Sequence, residues 1–189
     1  MSDPDAKELV SEERRKLVTW LWRLPVLAAI GGAGFAGYEF YKHLDKTLPS
    51  KTPVFEPKTK IEIAELAELA SLWSFAEFSL EYMPAIVFRV PAPVSGGLSF
   101  EDKHFIAFSR ICTHMGCIVQ PNENFEAIAV SYNYRTTSPV LACGCHFSVF
   151  AVDKAGEAVS GPATLPIPRV QLELEENRLY AVGLEQKPA

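Results

Sequence analysis

Beyond Lys60 the chain runs in short blocks of branched and aromatic residues separated by Pro, Gly and Asn, a pattern that predicts an all-β fold. The predicted strands are Ala85 to Val90, His104 to Ser109, Ala127 to Tyr134, Val140 to Ala142, Phe147 to Val152, Val170 to Glu175 and Arg178 to Leu184. Turns are expected at Ser95-Gly96-Gly97, Lys154-Ala155-Gly156 and Glu176-Asn177. Ile61 to Leu72 fits either a short amphipathic helix or a strand lead-in, because the spacing of Ile61, Leu66, Leu69 and Leu72 does not settle the period. No internal repeat or low-complexity tract is visible.

The pattern before Lys60 is different. Leu24 to Tyr41 is almost free of charge and includes Gly31-Gly32-Ala33-Gly34, so it reads as a membrane helix. Against the roughly 20 apolar residues that span a bilayer it is short, and it becomes sufficient when Leu17 to Trp22 join it with Arg23 snorkelling. Trp20, Trp22, Tyr38 and Tyr41 flank it as an interfacial belt would. Just upstream, Glu13-Arg14-Arg15-Lys16-Leu17-Val18 resembles a twin-arginine export signal, a route that carries folded proteins. Cleavage after Ala36 would instead release a soluble protein. The basic residues on the two sides of the apolar stretch balance, so charge alone does not orient it. Pro49, Pro53 and Pro57 among lysines and threonines make a semi-extended linker. The expected organisation is a cytoplasmic tail over 1–16, a transmembrane anchor over 17–44, a hinge over 45–60 and one folded domain over 61–189.

Composition narrows the function. A chain of 189 residues, 48% hydrophobic, has room for one compact domain and an extension. Net charge is −5, but from Ile61 onward 15 acids face 8 bases, a balance of −7, which argues against a nucleic-acid partner.

All four cysteines lie in two boxes, Cys112-Thr113-His114-Met115-Gly116-Cys117 and Cys143-Gly144-Cys145-His146. Each offers a thiolate and an imidazole from a tight turn at a strand end. Two such turns face to face supply two Cys and two His, the donor set of a [2Fe-2S] centre with one iron on sulfur and the other on nitrogen. A structural zinc site accepts the same four donors, but leaves the second cysteine of each box without a use. No thiol is singled out with a dedicated base as a catalytic nucleophile would be.

The boxes resemble those of the Rieske iron–sulfur proteins, C-x-H-x-G-C followed by C-x-C-H, over roughly Phe88 to Leu184. The resemblance implies a Rieske-type antiparallel β-sandwich with a small cluster-binding subdomain, here added to one N-terminal transmembrane helix. It implies that Cys112 and Cys143 bind one iron, that His114 and His146 bind the other, and that Cys117 pairs with Cys145 in a disulfide. Such a bond persists on the oxidising side of a membrane, which places the domain outside a prokaryotic cytoplasmic membrane that the chain crosses once. Ser160-Gly161-Pro162-Ala163-Thr164 resembles the loop that covers the cluster in this family. Ser148 matches the residue that donates a hydrogen bond to a bridging sulfide. His146 is expected to be the exposed imidazole, which in quinol-oxidising relatives accepts a hydrogen bond from the quinol. The chain departs from the respiratory pattern at Phe147, where Gly is usual, and at Phe150, where high-potential members carry Tyr, so its potential should lie below the top of the family range. The interval Ile118 to Ala142 is long for a respiratory member and is expected to form an extra hairpin.

Two related families fit. A membrane-anchored subunit of a cytochrome bc-type complex takes one electron from quinol and passes it to a c-type cytochrome, within a dimeric assembly holding cytochrome b-type and cytochrome c-type subunits; the anchor and hinge favour this reading. The small subunit of arsenite oxidase, which relays electrons from a molybdenum subunit, is similar in Cys112 to Cys117, Cys145 to Ser148, Gly161, Ala163 and Thr164. A ring-hydroxylating oxygenase needs a second iron site, and only His43 and His104 remain for it. Alone, the chain is expected to carry one electron rather than turn over a substrate.

Overall fold

The computed structural model describes residues 53–186, together with positions 16, 17, 20, 21, 23, 32, 34, 35, 37 and 38. The chain divides into two compact units, Met1–Leu48 and Pro49–Ala189. In the first, the described positions are helical and exposed. Most of the anchor expected over 17–44, and 45–52 of the hinge, lie outside the described residues. Among the described residues no helix is long and apolar enough to cross a membrane.

The second unit consists of two antiparallel sheets. The larger has the order β1(Phe55–Glu65), β11(Arg178–Glu185), β10(Arg169–Glu175), β5(Lys103–Ser109), β3(Met83–Val90), β2(Phe75–Leu80), with β4(Leu98–Phe100) also paired to β5. The smaller has the order β6(Gln120–Asn122), β7(Val140–Ala142), β8(Val149–Ala151), β9(Glu157–Ser160). All three expected turns are present.

The central strands explain their own sequence. On β3, Ile86, Phe88 and Val90 pack to one side with Ile106 and Phe108 of β5, while Ala85 and Val87 pack to the other with Phe105 and Ala107. A strand buried on both faces needs apolar residues at successive positions, which is why these two runs show no alternation. The first of these faces also carries Cys112, Val119, Leu141, Cys143 and Phe150, so the core that joins the two sheets reaches the boxes themselves. At full burial such side chains contribute roughly 1.5–3 kcal/mol each. Arg169, buried on β10, forks onto the buried Glu185 of β11 and donates to the Ser95 carbonyl at 3.0 Å, closing this end of the sheet.

Two expectations are corrected. First, Ala127 to Tyr134 is no strand and builds no hairpin: Phe125–Ser131 is a helix, α1. Asn124 caps it by accepting from the Ala127 amide at 3.0 Å, and buried Ile128 docks against Val140, Ala142 and Val149 of the small sheet. Cap and docking together override the strand preference of Ile128, Val130 and Tyr132. Second, the hinge does not extend to residue 60, because β1 begins at Phe55. β1 pairs with β11 as an end strand, where Pro57 is tolerated, and the register shifts between Pro57 and Ile61. Of the two forms open to Ile61 to Leu72, the structure takes the strand: β1 runs to Glu65 and turns follow it.

Candidate metal centre

The two boxes fold into loops with the same internal bonding, 31 residues apart in sequence. In the first, the Cys112 amide donates to the Cys117 carbonyl at 2.8 Å and the Gly116 amide to the Cys112 carbonyl at 2.9 Å. In the second, the Cys143 amide donates to the Ser148 carbonyl at 2.8 Å and the Phe147 amide to the Cys143 carbonyl at 3.0 Å. The stems pair as Ile111 with Ile118 and as Ala142 with Val149. Each loop turns at its fifth residue through a left-handed backbone, φ 77° at Gly116 and 62° at Phe147. Glycine takes this conformation freely, whereas phenylalanine takes it at a cost of roughly 1–2 kcal/mol. The ring of Phe147 packs edge-on against Tyr132 at the end of α1, centroids 5.6 Å apart, which offsets part of that cost.

A disulfide joins the loops, Cys117 to Cys145, with Cα atoms 6.6 Å apart. Cys112 and Cys143 are free and buried. His114 and His146 are exposed, and their rings meet edge to face with centroids 4.8 Å apart. The sulfurs of Cys117, Cys143 and Cys145 lie within 4.8 Å of one another, but two of these three are bonded together, so the free donors are the two buried thiols and the two imidazoles. The structure therefore brings all four predicted ligands to the facing ends of two cross-linked loops, thiols inside and imidazoles outside. His104 lies elsewhere, its Nδ1 2.9 Å from Ser99 Oγ, and His43 lies outside the described residues.

These donors fit a cluster. Burial pushes the Cys112 thiol upward from its ordinary value, and the neighbouring Cys143 adds to this, while the backbone amides of His114 and Met115 aimed at the sulfur oppose it. Amides directed at a sulfur stabilise it as a thiolate, the form that iron requires, and tune a bound centre. Ser148 is fully buried, and its Oγ accepts from the Ala163 amide at 3.1 Å, which leaves the hydroxyl proton to donate elsewhere, as it would to a sulfur of a bound cluster.

The Gly-Pro loop closes over the boxes. A Cβ on Gly161, whose φ is 84°, would stand 2.5 Å from both the Phe147 carbonyl oxygen and the Ser148 Cα, so only glycine allows this approach. Ser160 Oγ donates to the Tyr132 carbonyl at 2.7 Å. Thr113 Oγ1 donates to the Leu165 carbonyl at 2.7 Å, tying the first box to the same loop. Met115, Phe147 and Leu165 expose apolar surface at this tip, 70%, 52% and 38% respectively. Thr113, although inside the first box, and Tyr132 and Arg110, which belong to no motif, were not foreseen as contributing bonds at the site; their partners lie 28 to 52 residues away.

The sequence matches the family model of the Rieske [2Fe-2S] domain over residues 63–171, more than half of the chain. It is similar to the iodate reductase subunit IdrB of Denitromonas iodatirespirans, 29% identical over 58% of this chain and 54% of that protein. It is also similar to the cytochrome bc1 complex Rieske iron–sulfur subunit of Corynebacterium glutamicum, 36% identical over 47% of this chain and 19% of that protein. The chain thus spans about half or less of the length of these relatives. Among solved structures it resembles the soluble domain of the Rieske protein II (soxF) from Sulfolobus acidocaldarius, with a TM-score of 0.50, 22% identity and coverage of 67% of this chain and 78% of that one. A family match of this extent, on a fold of this kind, makes the chain a member of the Rieske [2Fe-2S] family, an electron-transfer protein whose domain binds a [2Fe-2S] cluster.

Proposed function

We propose that the chain is the membrane-anchored Rieske subunit of a quinol:cytochrome c oxidoreductase of bc type, taking one electron from quinol and passing it to a c-type cytochrome. Cys112 and Cys143 hold one iron, His114 and His146 the other. The bound cluster supplies the one-electron chemistry. The chain's own residues fix the ligands, exclude water from the sulfur side and leave the imidazole side open. The observation that carries this reading is the pair of exposed imidazoles at an apolar tip, above two buried thiols. A neutral donor such as a quinol, or the apolar surface of a partner, can reach His146 there without displacing protein. His146 would then take up the quinol proton at its outer nitrogen, and a cluster held by the four ligands would accept the electron.

The disulfide supports a location on the outer, oxidising side of the membrane. The uncharged stretch within 17–44 supports single-pass anchoring, and cytochrome b-type and c-type subunits are the partners this role requires. A second reading is favoured by the similarity to iodate reductase subunit IdrB, which covers a larger share of this chain than does the bc1 relative. In it the domain relays electrons from a molybdenum subunit of arsenite oxidase type. Electron paramagnetic resonance of reduced membranes separates the two. A change in the cluster spectrum on adding a quinol-site inhibitor supports the quinol pocket; an unchanged spectrum supports the relay.

A further inference from the structure

Two arginines of the folded unit are buried, and they are neutralised differently. Arg169 faces Glu185, and both side chains are almost fully enclosed, 4% and 9% exposed, so their charges cancel locally. Arg110 is also enclosed, its side chain 9% exposed, but the carboxylate it meets at 2.6 Å, Glu77, is 50% exposed. Water screens the field of Glu77 far more than that of Arg110, so the interior side of this pair retains positive potential.

Arg110 stands two residues before Cys112 in the stem of the first box. Two residues of extended chain span about 7 Å. The guanidinium cannot swing away, because its Nε donates to the Val119 carbonyl at 3.0 Å and its Nη2 to Gln120 Oε1, both on the returning stem. The main chain is fastened as well: the Arg110 amide donates to the Pro84 carbonyl at 2.8 Å and its carbonyl accepts from the Val119 amide at 2.9 Å. A fixed, under-neutralised cation is therefore held in the stem of the first box, two residues from Cys112 in sequence.

We infer that the Arg110–Glu77 pair is an electrostatic control on the electron affinity of the cluster, with Arg110 as a positioning residue that favours the reduced form and Glu77 as the partial brake on it. Reduction adds one negative charge to the centre, so a nearby cation stabilises the product and a nearby anion opposes it. This rests on the assignment of Cys112 as an iron ligand. The pair also ties β2 of the large sheet to the first box, so whatever displaces Glu77 at the surface alters the field at the cluster.

Redox titration of the full-length, cluster-loaded protein, followed by electron paramagnetic resonance, tests the inference with three variants. Glu77→Gln removes the brake while leaving the Arg110 bonds to Val119 and Gln120 in place; the midpoint should rise, equivalent to a roughly three- to tenfold change in the reduction equilibrium. Arg110→Gln should lower the midpoint, and Arg110→Lys, which keeps the charge and loses the fork, should stay close to the parent. Midpoints unmoved in Glu77→Gln and Arg110→Gln, with normal spectra, overturn the inference. If Arg110→Gln does not hold its cluster, Glu77→Gln decides alone: a rise sustains the inference and no change overturns it. Absence of a [2Fe-2S] signal from the parent protein would instead remove the ligand assignment itself, so the two failures are distinct.

Discussion

Replacing Gly161 by alanine tests whether the Gly-Pro loop is held as closely as its geometry requires. The added Cβ would meet the Phe147 carbonyl oxygen and the Ser148 Cα at 2.5 Å, and the Ser148 nitrogen at 2.7 Å. All three are backbone atoms that cannot step aside without moving the second box. The loop must lift instead, and the bond from the Ala163 amide to Ser148 Oγ lengthens or breaks, at a cost of about 1 kcal/mol. The left-handed backbone at φ 84° adds about 1–2 kcal/mol for alanine. The expected total is about 2–3 kcal/mol, or a fall in Tm of about 10 °C for a domain of this size. Thermal unfolding of the cluster-loaded protein, followed by the loss of visible absorbance, gives Tm and cluster retention together. An alanine variant that unfolds within a degree of the parent and keeps its cluster equally long would refute this account of the loop.

Phe150 is fully buried in the core shared with Cys112 and Cys143, so Phe150→Tyr adds a phenol donor to the core that holds the sulfurs. A gain of about 1 kcal/mol for the reduced state corresponds to about 40 mV for one electron, and a redox titration showing no rise would contradict it. In metal-free protein, the folded-state pKa of Cys112 is raised from an ordinary 9.0, chiefly by burial. The unfolded chain then ionises first, so the stabilisation is complete below pH 9 and is lost as pH rises through the folded value. Urea unfolding at pH 8 and pH 10 should show this loss in the parent and a smaller one in Cys112→Ser; equal losses would refute the assignment.

The site was legible because its donors sit in two contiguous boxes, whose order needs no knowledge of the fold. The central strands β3 and β5 were legible too, since burial on both faces leaves unbroken apolar runs. The inter-box helix was not. Phe125–Ser131 is only 7 residues long, and its β-preferring side chains outweigh, in sequence, a cap that depends on Asn124 and a docking partner that depends on the small sheet. The start of β1 was hidden by Pro57, which an end strand accepts where a central one would not. β2 escaped because Phe75–Leu80 alternates half-exposed and exposed positions with no strong turn signal before it. The fastening of the tip, from Thr113 to Leu165, Ser160 to Tyr132 and Arg110 to Glu77, joins residues between 28 and 52 positions apart, and no local pattern announces such contacts.

The most direct test of the account is iron and acid-labile sulfide analysis of the purified protein, combined with electron paramagnetic resonance after reduction, for the parent and for His146→Cys. The account predicts two irons and two sulfides per chain in the parent. It further predicts a spectrum that changes in the variant, because a thiolate replaces an imidazole on the outer iron. Protein that carries zinc without sulfide, or a spectrum indifferent to the exchange at position 146, would contradict it.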